Sequence, residues 1–356
     1  MSDLMVAPFL ALVFYGTKKP TNRNIFNKEN TDSLKGIFTL IILFGHAYSL
    51  NQPSYLFCRF NNLGAYACAI FFFISGYGLI IQYLNKKNYY LKSFLKKRFS
   101  SILIPAINGS IIYLIIKFIF VDGYSLELIF DSSLHGHTPV IDNSWFIIQL
   151  IYLYIIFYFT FKYYSKRQNK ISVNFVILII TIFVIVTILI VKMINWGYNW
   201  YASILAFPFG LFAGGNKCYF ENILIKYRKF IIIFSIFFII ASAYYQVFIK
   251  RLFLIDVSDN LISMIVDLIS KLLFVTMILS AMAFINVGNI VLNFIENISY
   301  ELYIIHGLFI YVFNNIVVVS NDLLKICLIL ISSIMVAFLM SKIDGKLVKK
   351  LVNEND

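Results

Sequence analysis

Between Asn174 and Val191 the chain runs eighteen residues without a charge, and between Phe230 and Val247 it does so again. Apolar stretches of about 20 residues match what an α-helix needs to cross the hydrocarbon core of a bilayer. No water reaches that core, so every backbone N–H and C=O must be satisfied internally, which leaves helices or a closed barrel. A barrel would alternate apolar and polar residues over segments of about 10; here the runs are continuous. Only 13% of the 356 residues are charged and the mean hydropathy is +0.83, whereas soluble domains carry about 25% charged residues. The pattern predicts an all-α fold, a polytopic transmembrane helical bundle.

Ten spans are expected, at roughly 34–50, 62–84, 101–121, 144–161, 173–191, 199–215, 230–247, 261–285, 297–319 and 323–341. Residues 1–33 then read as a cytoplasmic N-terminal segment, 34–341 as the transmembrane domain and 342–356 as a cytoplasmic tail. Val6–Gly16 is too short to span and has no charged flank of the signal-peptide kind, so it is expected to be a cytoplasmic or surface-lying segment. One set of connecting segments holds twenty-two Lys and Arg, the opposite set five. By the positive-inside rule both termini are expected in the cytoplasm, in a multi-pass protein of the inner membrane. The net charge of +13 is thereby a topology signal; no basic soluble domain exists to bind nucleic acid. Four cysteines without CxxC spacing give no disulfide or metal framework. His135 and His137 in the longest outer connection lack a third ligand at a metal-site spacing, and no metal is expected.

Polar residues inside the spans are the candidates for function, because they are costly there. Lys35 and His46 lie eleven residues apart in the first span. At about 100° and 1.5 Å per residue they share one face, about 16 Å apart, with a cation at the inner rim and an imidazole deeper in. The second span carries Ser75-Gly76-Tyr77-Gly78, small residues that allow a close helix crossing or leave room for a ligand. Basic residues including Lys97 and Arg98 crowd the connection before Pro105 and suit either anionic lipid or a phosphate-bearing ligand. In the ninth span Ser299, Tyr303 and His306 recur at i, i+4 and i+7 and form a polar stripe. The fourth span opens with Trp145, suited to a membrane interface, followed by Gln149 and Tyr152 on a shared face. Asp267 and Lys271, four apart in the eighth span, read either as a mutually neutralising pair or as part of a substrate or proton path, and Lys117 as a cation snorkelling to an interface. No paired half-length, Gly/Pro-broken helices in corresponding halves, as a transporter would more often show, are read from the sequence.

Taken together, four segments resemble the acyltransferase-3 family of integral membrane acyltransferases. They are Lys35…His46, Phe72-Phe73-Ile74-Ser75-Gly76-Tyr77, Lys96-Lys97-Arg98…Pro105, and Ser299…Tyr303…His306. Many members have Arg where Lys35 stands, and commonly a further Arg where this chain has Ile102; the Lys-Gly-Ile form is similar to the branch of sugar O-acetylases. The resemblance implies transfer of an acyl group, most often acetyl, from cytoplasmic acetyl-CoA to a carbohydrate hydroxyl of a cell-surface polysaccharide or its lipid-linked precursor. It implies His46 and His306 as catalytic, Lys35, Lys97 and Arg98 as binding the acyl-CoA, and Ser75, Trp145, Gln149, Ser299 and Tyr303 as lining the acceptor side. The partners implied are acyl-CoA, a carbohydrate acceptor and membrane lipids. His46 could act as general base or carry the acyl group itself. The alternative function is a polytopic transporter or polymerase of surface glycans.

Overall fold

The computed structural model describes residues 2–19, 25–48, 54–121, 124–135, 138, 140–166, 172–253 and 261–353. His137 lies outside the described residues. In chain order the helices are α1 (Ser2–Phe14), α2 (Lys28–Ala47), α3 (Arg59–Lys92), α4 (Phe94–Phe120), α5 (Leu126–Leu134), α6 (Trp145–Ser165), α7 (Val173–Met193), α8 (Ala206–Gly215), α9 (Lys217–Phe253), α10 (Leu261–Ala281), α11 (Ile290–Asn297), α12 (Ser299–Tyr311) and α13 (Asp322–Asn353). Seven of them are long and apolar enough to cross a membrane, and each of the ten expected spans has a helical counterpart. This is an all-α polytopic bundle. The end of the bundle that carries Lys18, Lys28 and Lys96 is called inner below, following the basic-residue asymmetry.

Local chemistry starts the helices where the spans begin. The Asn27 side chain accepts from the Asn30 N–H at 2.7 Å and caps α2, with Glu29 in the first turn. Ser172 caps α7 in the same way. The small residues of the second span serve a helix crossing: a Cβ on Gly76 would stand 2.2 Å from the Phe207 carbonyl oxygen, and one on Gly210 2.2 Å from that of Phe73. α3 and α8 thus touch backbone to backbone, which is how helices associate where lipid offers no hydrophobic drive between them.

Several expectations give way to packing. The span expected at 199–215 is a short turn, Tyr198–Trp200, followed by the ten-residue α8, about 15 Å long and so half a bilayer core. It is a continuous half-length helix that carries Pro208 and Gly210. The basic connection 85–100 is helical too. α3 bends at Lys87 (φ +46°) and continues to Lys92, and α4 starts at Phe94, so Lys97 and Arg98 sit on a helix about 100° apart. The expected tail is the continuation of α13, held by Asn108 to Asp344 at 2.5 Å and by Lys96 to the Val352 carbonyl at 3.2 Å. Lys117 does not snorkel: it is buried, 3.0 Å from the Asp142 carboxylate.

The N-terminal segment is neither separate nor confined to the inner end. Asp3 accepts from the backbone N–H groups of Tyr55, Leu56 and Phe57 at 3.1, 2.8 and 2.8 Å and from the Ser54 hydroxyl at 3.0 Å. Those four donors hold its carboxyl well below the usual carboxylate range. Phe9 packs edge-on against Phe44 and Phe60. Past the other end of α1, Asn289 donates to the carbonyls of Leu12 and Tyr15, and Lys18 pairs with Asn286 backbone to backbone. α1 therefore runs the side of the bundle from the outer end to the inner one. Both termini are expected on one face; here Asp3 sits at the 54–57 turn and Val352 at Lys96, the opposite ends of the bundle. Thirteen residues cover only about 20 Å, too few for a hydropathy window, yet enough when the outer rim is reached through Asp3.

Two outcomes follow. Gly76→Ala and Gly210→Ala should each lower the melting temperature in detergent through a backbone clash, a cost of about 1–3 kcal/mol for overpacking; wild-type melting in both would show that the crossing is looser than described. In a chain stripped of its native cysteines, Leu4→Cys should react with an impermeant maleimide from the same side of the membrane as Tyr55→Cys, and Lys349→Cys from the other. Leu4 and Lys349 labelled from one side would refute the placement of α1.

Candidate active site

His46 and His306, 260 residues apart in sequence, meet where α2 packs on α12. His46 Nδ1 lies 2.7 Å from His306 Nε2, and the rings are stacked with centroids 5.0 Å apart and planes 15° from parallel. His306 is 1% exposed, and its Nδ1 lies 3.1 Å from the carbonyl oxygen of Leu302, one turn earlier. The bonding network assigns the protons. A carbonyl only accepts, so His306 Nδ1 carries hydrogen. Nε2 of the neutral ring is then an acceptor, and His46 Nδ1 donates to it. His46 Nε2 is left with a free lone pair. This is the arrangement of a base whose second nitrogen is oriented by a partner.

The pair stands in the wall between two cavities. The inner one, of about 500 Å³, is lined by His306, Tyr303, Ser299 and Ser75, and by Lys28, Lys35 and Arg98 toward the inner rim. No carboxylate is among its described lining residues. The outer one, of about 730 Å³, is lined by His46, Asn143, Trp145 and a further set of amides and tyrosines. Ile42, Cys68 and Tyr303 face both. His46 also lines a third recess of about 410 Å³ with Asp142, Gly307 and Asn314. Both large cavities fall in the range of ligand sites, about 300–1,000 Å³.

The sequence-predicted residues divide accordingly. Ser299, Tyr303 and His306 do share one cavity, as their i, i+4, i+7 spacing requires, and Ser75 joins them. Lys35 reaches this cavity, but its ammonium is already held by Glu296 at 2.8 Å and Asp32 at 3.3 Å. Arg98 enters it with its guanidinium donating to the Tyr90 hydroxyl at 3.1 and 3.3 Å and meets no carboxylate among the described residues. Lys97 is exposed and lines neither cavity, since its neighbour on α4 takes the inward face. Trp145 faces the outer cavity and is buried, not an interfacial anchor. Gln149 lines neither: its amide donates to the Trp200 carbonyl and ties the 198–200 turn to α6. Tyr152 likewise bonds Thr187 on α7.

Sequence reasoning missed Asn143. Its backbone is left-handed, φ +67°, a conformation Asn tolerates better than most residues. Its carbonyl accepts from the Tyr303 hydroxyl at 2.6 Å, and its amide nitrogen is 3.4 Å from His46 Nδ1. The Lys117–Asp142 ion pair, one residue earlier, pins this corner to α4. The available signal was the Asp-Asn pair directly before an apolar run. Among the described residues no group of His, Cys, Asp and Glu is arranged to hold a metal ion.

A helical membrane protein in which a cation-lined cavity and a net-neutral one meet at a histidine pair has the layout of a group-transfer enzyme. A family model described as an acyltransferase domain, Acyl_transf_3, matches residues 29–342, and the chain belongs to that family. It is a multi-pass membrane acyltransferase. No curated protein and no solved structure matches the chain.

If the two histidines work as one unit, their losses do not add. His46→Ala should cut acyl transfer by about 10²–10⁴-fold, the usual worth of a positioned acid–base group. His306→Ala should fall in the same range, and the double variant should be no worse than His46→Ala alone. Transfer rates in purified, monodisperse preparations check this; multiplying losses would separate the two roles.

Proposed function

We propose that this enzyme moves an acyl group, most simply acetyl, from acyl-CoA in the inner cavity to a carbohydrate hydroxyl in the outer one. The observation that carries the reading is the His46–His306 contact between two cavities of opposite chemical character. Phosphates suit a cavity with Lys28 and Arg98 and no lining carboxylate. A neutral polyol suits one lined by amides, aromatic side chains and a single mutually neutralising Asp–Lys pair.

The chemistry balances as follows. His46 Nε2 takes the proton of the acceptor hydroxyl, and the oxygen attacks the thioester carbonyl at the wall formed by Ile42, Cys68 and Tyr303. The new C–O bond forms, the C–S bond breaks, and the departing thiolate takes the proton back from His46. His306 steadies the imidazolium in between, as an acceptor for its Nδ1–H. The Asn143 carboxamide stands beside His46 and is the donor assigned to the carbonyl oxygen as charge develops. His46 as general base, not acyl carrier, fits its position on the outer cavity, away from the donor. By the basic-residue asymmetry the donor side is the cytoplasm; the family resemblance supports the inner membrane and, as acceptor, a surface polysaccharide or its lipid-linked precursor. A glycan transporter or polymerase would have no use for the histidine contact between the cavities.

Arg98→Ala should raise the half-saturating acetyl-CoA concentration about tenfold or more, since a charge-assisted hydrogen bond is worth about 1.5–3 kcal/mol. Lys97→Ala, on the neighbouring face, should leave it within about twofold. Acetyl transfer in proteoliposomes reads both; equal behaviour of the two variants would show that phosphates bind outside the inner cavity.

A further inference from the structure

The outer cavity has a second polar centre away from the histidines. Asp267 and Lys271 on α10 are 5% and 2% exposed and bonded to each other. The pair is not closed on itself. The Tyr198 hydroxyl donates to Asp267 Oδ2 at 2.8 Å and accepts from Lys271 Nζ at 2.5 Å, and the Gln246 amide donates to Asp267 Oδ1 at 3.3 Å. The rings of Tyr66 and Tyr198 flank the ammonium at 5.0 and 5.1 Å. Residues from α3, the 198–200 turn, α9 and α10 thus converge on one ion pair, and all of them line the cavity that contains His46.

A buried ion pair is an expensive way to hold helices together, since apolar side chains of the same volume do it as well or better. Its placement on a cavity wall gives it another use. Asp267 Oδ1 is engaged twice and Oδ2 once, which leaves Oδ2 a further lone pair; Lys271 has used two of its three N–H donors. The spare capacity is one acceptor and one donor, side by side. Adjacent hydroxyls of a sugar ring offer that complement, one donating and one accepting. Asp267 and Lys271 are the only carboxylate and the only cation among the cavity's described lining residues, so the wall is neutral overall.

We propose that Tyr198, Asp267 and Lys271 form a carbohydrate subsite that holds the acceptor by a pair of ring hydroxyls and selects uncharged sugars. A uronic acid would set its carboxylate against Asp267 with no free cation to balance it. The subsite rests on the acyl-transfer reading and deepens it.

The test uses purified full-length protein in proteoliposomes, radiolabelled acetyl-CoA, and a panel of uncharged methyl hexosides with the matching methyl uronides. Wild type should acetylate at least one hexoside and use its uronide at least tenfold less well. Tyr198→Phe removes the bridging hydroxyl with little change of shape and should raise acceptor half-saturation about tenfold while donor half-saturation holds. Asp267→Leu combined with Lys271→Met keeps the volume without leaving one charge unpaired, and should do the same or more. Wild-type acceptor half-saturation in both variants, or equal use of uronides, would overturn the subsite while leaving acyl transfer standing. Absence of any acceptor-dependent acetyl-CoA consumption by wild type would overturn the transfer reading, and the subsite with it.

Discussion

The contact between His46 and His306 sets the terms for the rest of the molecule. It joins the first long helix to one near the end of the chain, and it sets a buried and a half-buried imidazole at a depth where polar groups need partners. The Leu302 carbonyl fixes the tautomer of one ring and through it that of the other. A single backbone acceptor on α12 thereby decides which nitrogen of His46 keeps a free lone pair. No carboxylate is needed to orient the base: the second histidine does that, and a neutral pair is less costly to bury than an ionised one.

Around that contact, charge is used to lock elements and to tell the two cavities apart. Lys35 ties α2 to the end of α11 through Glu296. Lys117 ties α4 to the corner before α6 through Asp142, and so steadies Asn143 beside the reaction centre. Asp267 and Lys271 neutralise each other on the outer wall. Arg98 is different: a phenol holds it and no described carboxylate does, so its charge remains available to an anion. The result is a site with a positive end and a neutral end, and the histidines between them.

The small-residue crossing of α3 and α8 explains how so short a helix as α8 belongs in the bundle. Backbone contact at Gly76 and Gly210 brings α8 close, and the turn before it places Tyr198 against α10 while Trp200 is tied to α6. The segment leading into a half-length helix thus lines the outer cavity from one side, a feature that hydropathy averages into an ordinary span.

Runs such as 174–191 determined by themselves that the chain is a helical membrane bundle, because the bilayer admits few other solutions to backbone hydrogen bonding. Helical periodicity made Ser299, Tyr303 and His306 legible as one stripe and Lys35 as sharing a face with His46; their grouping with Arg98 came from the family resemblance. The sequence could not decide which faces meet. That His46 finds His306, that Lys97 points away while Arg98 points in, that Gln149 spends its amide on a turn, and that Asp267 and Lys271 open onto the cavity of His46 depend on helix rotation and contacts between distant segments. The same holds for α1, whose thirteen residues are too few to register as a span and whose path is set by Asp3 at one end and Asn289 at the other. Periodicity is local and written in the chain; pairing is a property of the packed bundle, and tertiary structure alone supplied it.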